Sequence, residues 1–268
     1  RLVNNLFFLI FSFKLPLFVN EDYSKKVHIY QCLWYYGAKE NVKKMLKKYE
    51  NLLNLDATIA KELFDEVNYP WEVLPLIKDF ILKVGPTLSN DYVLYKDNVW
   101  VHKSVKISEK ADINAPAIID EGTEVRPGAF IRGSAIIGKN CVIGNSTEIK
   151  NSIIFDNCQL PHYNYVGDSI LGYHVHLGAG VILSNLKNDG TNIDIKYKDK
   201  KLPTGMRKMG SVIGDSTEVG CNSVLYPGTI IGKNTNIYPL TRVRGIINSN
   251  SIVKDENTIV DKEVNYVK

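Results

Sequence analysis

The sequence predicts a mainly β chain, a parallel β-helix with a small N-terminal helical cap, and two interlocked patterns carry that prediction. An aliphatic residue recurs at every sixth position: Val101, Ile107, Ile113, Ile119, Val125, Ile131, Ile137, Ile143 and Ile149. Two places before each stands a slim residue: Val99, Val105, Ala111, Ala117, Thr123, Ala129, Ala135, Cys141 and Thr147. Helices repeat near every ~3.6 residues and strands every ~2, so a beat of six marks a repeat architecture. One hexad makes a short strand and a corner, and three hexads close a triangular coil. Coils then stack by parallel pairing, about 4.8 Å apart. The aliphatic residues fill the prism, and only slim companions fit beside them. Gly138, Gly144, Gly167, Gly172 and Gly178 follow the aliphatic positions, where a tight corner is expected to call for positive φ.

The elements follow in order along the 268 residues. Residues 1–44 read as a poorly defined N-terminal extension. Leu6 to Val19 is apolar but broken by Lys14 and Pro16, too short to span a bilayer. The first methionine is Met45, which suggests an extension or upstream reading; a signal or anchor is the alternative. Residues 45–95 read as the helical cap. Leu46, Tyr49, Leu52 and Leu53 share a face, then Ile59, Leu63, Phe64 and Val67 follow a cap at Asp56. Asn68-Tyr69-Pro70 interrupts the pattern. A second helix is expected over Trp71 to Val84, with Leu76, Ile77, Phe80 and Ile81 inward and Gly85-Pro86 as its stop. The helices are expected to cover the edge of the first coil.

Residues 96–253 read as the β-helix and 254–268 as a C-terminal tail. The beat runs on, with phase shifts, through Ile154, Leu160, Val166, Leu171, Leu177 and Leu183, and returns at Ile213, Val219, Leu225, Ile231, Ile237 and Val243. Between them, 184–210 must leave the prism. The alternation Ile193, Ile195, Tyr197 before Asp199-Lys200-Lys201 suggests a projecting hairpin or extended arm.

A net charge of +4 offers neither a nucleic-acid stripe nor a polybasic membrane patch, and Lys43 to Lys48 reads as a solvated helix face. No nucleic-acid or membrane partner is expected. Cys32, Cys141, Cys158 and Cys221 form no CxxC pair. Cys141 and Cys158 fall on slim core positions and read as buried thiols, consistent with a reducing, cytoplasmic setting.

A solenoid alone does not specify chemistry. The informative stretch is PHYNYVGDSILG, Pro161 to Gly172, followed by HLGAG at His176 to Gly180 and by Ser184-Asn185. It resembles the acetyltransferase domain of bifunctional UDP-N-acetylglucosamine pyrophosphorylase/glucosamine-1-phosphate acetyltransferases. The archaeal-type bifunctional sugar-1-phosphate nucleotidylyltransferase/amino-sugar-1-phosphate acetyltransferases look more similar, because they share the arm KYKDKKLPTGMRKMG, Lys196 to Gly210. The resemblance covers about Val99 to Gly245. It implies a left-handed helix, a homotrimer with sites between adjacent prisms and the arm reaching a neighbour, acetyl-CoA as co-substrate, and an amino-sugar phosphate as acceptor.

Position by position, the resemblance implies His162 as catalytic base and Tyr165 at the amino-sugar phosphate. Arg132 in FIRG and Lys150 in STEIK match cationic phosphate contacts. Asn185 matches a catalytic residue that positions the amine and acetyl-CoA, and Ala179 falls where backbone meets the thioester carbonyl. His176 stands where bacterial members have asparagine, at a substrate position. Lys208, with Lys233, Arg242 and Arg244, is a candidate for the CoA phosphates. These residue types suit an amine that must lose a proton, a developing oxyanion and a phosphate. Each also has a plain reading, as a solvated corner, a packing ring or the turn that launches the arm.

Lysines expected six and nine residues beyond Asn185 are here Thr191 and Asp194, with Lys187, Lys196 and Lys198 as candidate substitutes. The GxGxR-type start of the nucleotidyltransferase domain is absent from Arg1 to Val99, so that reaction is not expected of this chain. Zinc is not expected either: His102, His162, His174 and His176 lack the spacing of the γ-class carbonic anhydrases, which share the solenoid. The leading expectation is an N-acetyltransferase acting on an amino-sugar 1-phosphate of glucosamine or galactosamine type. The alternative is a non-catalytic module that binds sugar phosphates or nucleotide sugars, or assembles with a separate nucleotidyltransferase.

Overall fold

The computed structural model describes residues 52–197 and 200–263. The helical face before Leu52, Lys43 to Lys48, Leu6 to Val19, Cys32 and Lys198 lie outside the described residues. Three sheets form the three faces of a prism. The first face holds nine strands, of which Tyr92–Lys96 pairs antiparallel with Val99–His102 and the other pairings are parallel. The second holds nine, closed by the antiparallel strand Ile259–Asp261, so part of the expected C-terminal tail belongs to the sheet. The third face holds seven parallel strands. Partners stand one coil apart: Ile119 pairs with Ile137, and Ile137 with Ile154.

Inward aliphatic residues from every coil form one continuous core, including Ile113, Ile131, Ile149, Val166, Leu183 and Leu225 on the third face. Burying each such side chain contributes roughly 1.5–3 kcal/mol. The slim positions do more than save space. Thr123 Oγ1 donates to Gly138 O at 2.7 Å, Thr147 Oγ1 to Leu160 O at 3.1 Å, and Cys158 Sγ to Gly172 O at 3.1 Å. A short polar side chain there directs its donor to a backbone carbonyl further along the coil, so it is buried with a partner.

The glycines after the aliphatic positions act differently from expectation. Gly138, Gly144, Gly167, Gly172 and Gly178 do not have positive φ, which falls instead on corner residues such as Asn140, Asn157, Tyr163, His174, Asn222 and Asn234. Close approach is what excludes a side chain there: a Cβ on Gly144 would sit 1.7 Å from Pro161 O.

The helical segment also departs from expectation. It lies along the outside of the first face rather than over the first coil. Asp156 N donates to Ala57 O and Asp215 N to Leu52 O, Phe64 meets Phe155 edge-on, and Ile77–Val84 packs on Ala135–Ile137. Ile118, Ile136 and Ile153, on the outer side of that face, are therefore fully buried. The edge of the first coil is covered by Tyr92–Lys96 instead. Asn54, not Asp56, caps the turn Leu55–Ala57, and the helix Lys61–Asp65 has no side-chain cap. The helix expected over Trp71 to Val84 divides into a 3₁₀ turn, Pro70–Leu76, and an α-helix, Ile77–Val84. Pro75 inside it lacks the N–H that an α-helix would use. Ile77, Phe80 and Ile81 are buried as expected, whereas Leu76 is half-buried. Among the described residues no helix is long and apolar enough to cross a membrane.

The excursion contains a hairpin of Asp194–Tyr197 and Lys200–Pro203. It is laid against its own prism: Ile193 and Ile195 are fully buried, and a Cβ on Gly228 would touch Ile193 Cγ2 at 2.8 Å.

Candidate active site

Parallel register on the third face brings Phe130, Glu148, Tyr165 and Ile182 into one outward row. Two residues further along each strand, Arg132, Lys150 and Gly167 form a second row near the edge that turns towards the first face. Arg132 Nη1 lies 2.6 Å from Glu148 Oε1, and Lys150 Nζ lies 3.6 Å from Asp168 Oδ2. Asp168 is 5% exposed and gathers further donors: Asn151 Nδ2 at 2.8 Å and Asn185 Nδ2 at 2.5 Å. A Cβ on Gly167 would sit 2.6 Å from Tyr165 Oη and 2.7 Å from Asn185 Nδ2, so the glycine opens the ground on which hydroxyl and amide converge.

Burial, then the negative charges of Glu148 and Asp168, holds the Tyr165 hydroxyl above the ordinary tyrosine range, against the opposing pull of Asn185 and Arg132. The Glu148 carboxylate raises Arg132. Both ends of the arm are tied to this cluster, because Met209 N donates to Asn185 O and Gly210 N to Asp168 O. Lys208, adjacent to that tie, is exposed.

His162 stands elsewhere. It ends the strand Gln159–His162 at the corner between the second and third faces, exposed, and its carbonyl accepts from Gly180 N at 3.2 Å. Ala179 takes the same corner one coil on, and its carbonyl accepts from Asn222 N, beside Cys221 in the next coil. His176 lies on the second face, with Nδ1 2.7 Å from Glu218 Oε2.

Two groups result. Arg132, Lys150 and Asn185 lie at one edge of the third face, where the Tyr165 hydroxyl reaches them from the neighbouring outward row; His162 and Ala179 share the other edge, with His176 beyond. A strand and its corners separate His162 from Asn185, on the order of 15 Å at about 3.3 Å per residue. One chain therefore does not bring His162 and Asn185 together. Among the other cations expected near a ligand, Lys233 pairs with Asp215 at 3.0 Å on the corner between the first and second faces, away from both groups. Arg242 pairs with Glu256 at 2.6 Å, and Arg244 lies over the Tyr226 ring at 5.6 Å.

Below Asn185, prism and arm enclose an open cleft of about 450 Å³ lined by Lys187, Asp194, Lys196, Tyr226 and Arg244 among others. Lys187 Nζ reaches Thr191 Oγ1 at 3.4 Å, Asn192 O, and Asp194 Oδ2 at 3.9 Å. An ammonium thus stands among the positions where lysines were expected. Sequence reasoning missed Glu148 and Asp168. The available signal was their coil position, directly beside Ile149 and two residues past Val166. No group of three or more His, Cys, Asp or Glu suited to a metal ion occurs among the described residues.

Residues 96–200 match the EIF2B subunit epsilon LbH domain, and residues 210–245 match the bacterial transferase hexapeptide pattern of six repeats. The prism is a left-handed hexapeptide-repeat domain. This hexapeptide-repeat chain is 34% identical over 222 residues to a bifunctional protein GlmU of Methanococcus maripaludis, covering 81% of the chain and 54% of that protein. It is 38% identical over 88 residues to a bifunctional sugar-1-phosphate nucleotidylyltransferase/acetyltransferase of Sulfurisphaera tokodaii, covering 33% of the chain and 22% of that protein. The chain thus spans about half the length of the first relative and a fifth of the second. Among solved structures, a mutant of AntD, an N-acyltransferase from Bacillus cereus in complex with dTDP and Coenzyme A, gives a TM-score of 0.40 at 16% identity, over 62% of this chain and 84% of that one.

Proposed function

We propose that this chain is an acetyl-CoA-dependent N-acetyltransferase acting on an amino-sugar 1-phosphate, with a site assembled between copies of a homotrimer. The observation that carries the reading is the edge cluster: two cations, a phenol and an amide carried by four successive coils, with Asn185 and Lys150 meeting on one carboxylate. The likeness to GlmU across most of the chain supports the same reaction class.

Arg132 and Lys150 hold the acceptor phosphate, the first as a fork and the second as a point charge. Tyr165 stays a protonated donor beside them. Asn185 accepts a hydrogen bond from the sugar amine. His162, from the opposite edge of a neighbouring copy, takes the amine proton as nitrogen attacks the thioester carbon; imidazole is the side chain suited to proton transfer near neutral pH. The Ala179 backbone N–H is offered to the oxyanion. The C–S bond then breaks, and the CoA sulfur leaves with a proton. Lys187 supplies the charge that Thr191 and Asp194 do not, and Lys208 and Arg244 lie within reach of CoA phosphates.

The second reading is a sugar-phosphate-binding module. It is favoured by the pairing of both phosphate cations with carboxylates in the free chain. Thiol release from acetyl-CoA across a panel of amino-sugar 1-phosphates separates the two. Release that depends on one acceptor and is lost in His162→Ala is expected; no release with any acceptor, alongside measurable sugar-phosphate binding, establishes the module instead.

A further inference from the structure

We propose that Asp168 is a positioning residue: it locks the side-chain amide of Asn185 so that Oδ1, and not the NH₂ group, faces the reacting amine. The proposal rests on the acetyl-transfer reading for its catalytic consequence, and on this chain's own geometry for the lock itself.

An ionised carboxylate only accepts hydrogen bonds, and an amide presents an acceptor on one side and donors on the other. Asp168 lies almost entirely out of solvent, where two amide donors and an ammonium converge on it: Asn151 Nδ2 at 2.8 Å, Asn185 Nδ2 at 2.5 Å, and Lys150 Nζ in an ion pair at 3.6 Å. Turning Asn185 over would set its carbonyl oxygen against a buried carboxylate. Its second N–H is directed at the Tyr165 hydroxyl, the two groups meeting over Gly167. Oδ1 remains as the side-chain atom open to a ligand. An amine attacking a carbonyl carbon has N–H bonds to direct, and an acceptor held in place aligns its lone pair with the thioester.

The backbone reinforces the lock. Asp168 adopts φ +48°, which turns its side chain into the edge, and its carbonyl accepts from Gly210 N at 2.8 Å. Asn185 O accepts from Met209 N at 3.0 Å. The arm therefore leaves the prism at Asn185 and returns through Met209 and Gly210, whose N–H groups bond the carbonyls of both members of the pair.

Asp168→Asn tests the idea, because it keeps size and backbone ties but removes the charge and leaves one acceptor oxygen where two amide donors and an ammonium converge. Steady-state acetyl transfer is measured for Asp168→Asn, Asn185→Ala and the double variant. The expected result is a fall in kcat on the order of 10–100-fold for Asp168→Asn, with the KM for acetyl-CoA unchanged. In the Asn185→Ala background Asp168→Asn then costs nothing further. Equal losses in both backgrounds, or an unchanged kcat, overturn the proposal. The Asn185 side-chain amide resonance, identified by its loss in Asn185→Ala, gives a readout independent of turnover. It is expected to move in Asp168→Asn, and an unmoved resonance overturns the lock. A wild-type protein without turnover refutes acetyl transfer, while the resonance still decides the orientation. Asp168→Glu, which retains the charge, serves if the asparagine variant does not fold.

Discussion

Arg132 Nη1 lies 2.6 Å from Glu148 Oε1 across one coil step, in a pair whose side chains remain 42% and 32% exposed. Such a partly solvated pair contributes about 0.2–1 kcal/mol, so a phosphate can take over the guanidinium. Arg132→Ala is expected to raise the acceptor KM about tenfold, the scale of a lost charge-assisted bond, with kcat retained. Glu148→Gln is expected to lower the acceptor KM. Steady-state kinetics on both variants checks this, and an unchanged KM in Arg132→Ala removes the arginine from the site.

Tyr165 should titrate late. Burial first, then Glu148 and Asp168, raise its pKa in the folded chain. The stabilisation tied to its protonated hydroxyl is therefore fully present below the unfolded value of about 10. It is lost as pH rises through the folded value. Tyr165→Phe is expected to remove one late-titrating phenol from the alkaline absorbance titration, and Glu148→Gln to move that phenol to lower pH. A titration curve unaltered by either substitution contradicts the assignment.

Gly144→Ala should be far more damaging than Gly205→Ala. At Gly144 the new methyl would meet a backbone carbonyl oxygen at 1.7 Å, on the step that pairs Asn145 with His162. At Gly205 nothing lies within 4 Å, and the cost is the positive φ of +74° alone. Losses on the order of 4 kcal/mol and 1–2 kcal/mol are expected, read as Tm shifts by calorimetry. Equal shifts would contradict the packing.

Cys158 is fully buried, and burial pushes its thiol up, whereas Cys221 is exposed. A thiol reagent should label Cys221 rapidly in the native protein and reach Cys141 and Cys158 only on unfolding. Mass mapping of labelled peptides decides it, and rapid labelling of Cys158 would mean an open prism.

The prism was legible because its interior demand repeats: Ile119, Ile137 and Ile154 occupy the same place in successive coils. The position of the helical segment was not, since an apolar helix face does not say which of three prism faces it covers. A signal did exist. Ile118, Ile136, Ile153 and Ile170 make the outward row of the first face apolar, where the third face carries Glu148 and Tyr165. The glycines were legible as constraints but not as to cause, because contact between coils lies seventeen or eighteen residues away in sequence, as between Gly144 and Pro161. Arg132, Lys150, Tyr165 and Asn185 were found through resemblance, and the structure gathers them. Asp168 was passed over because its importance lies in the donors it collects, which no local motif records.

His162 and Asn185 stand at opposite edges of one face, so the account requires two copies to complete a site. Co-expression of His162→Ala with Asn185→Ala tests this directly, since mixed assemblies contain interfaces with both native residues. Each variant alone is predicted to retain only a small residual activity, far below one quarter of wild type, and the mixture to recover about one quarter of wild-type acetyl transfer, the random share of such interfaces in a cyclic assembly. A mixture no more active than the separate variants would contradict a site shared between copies.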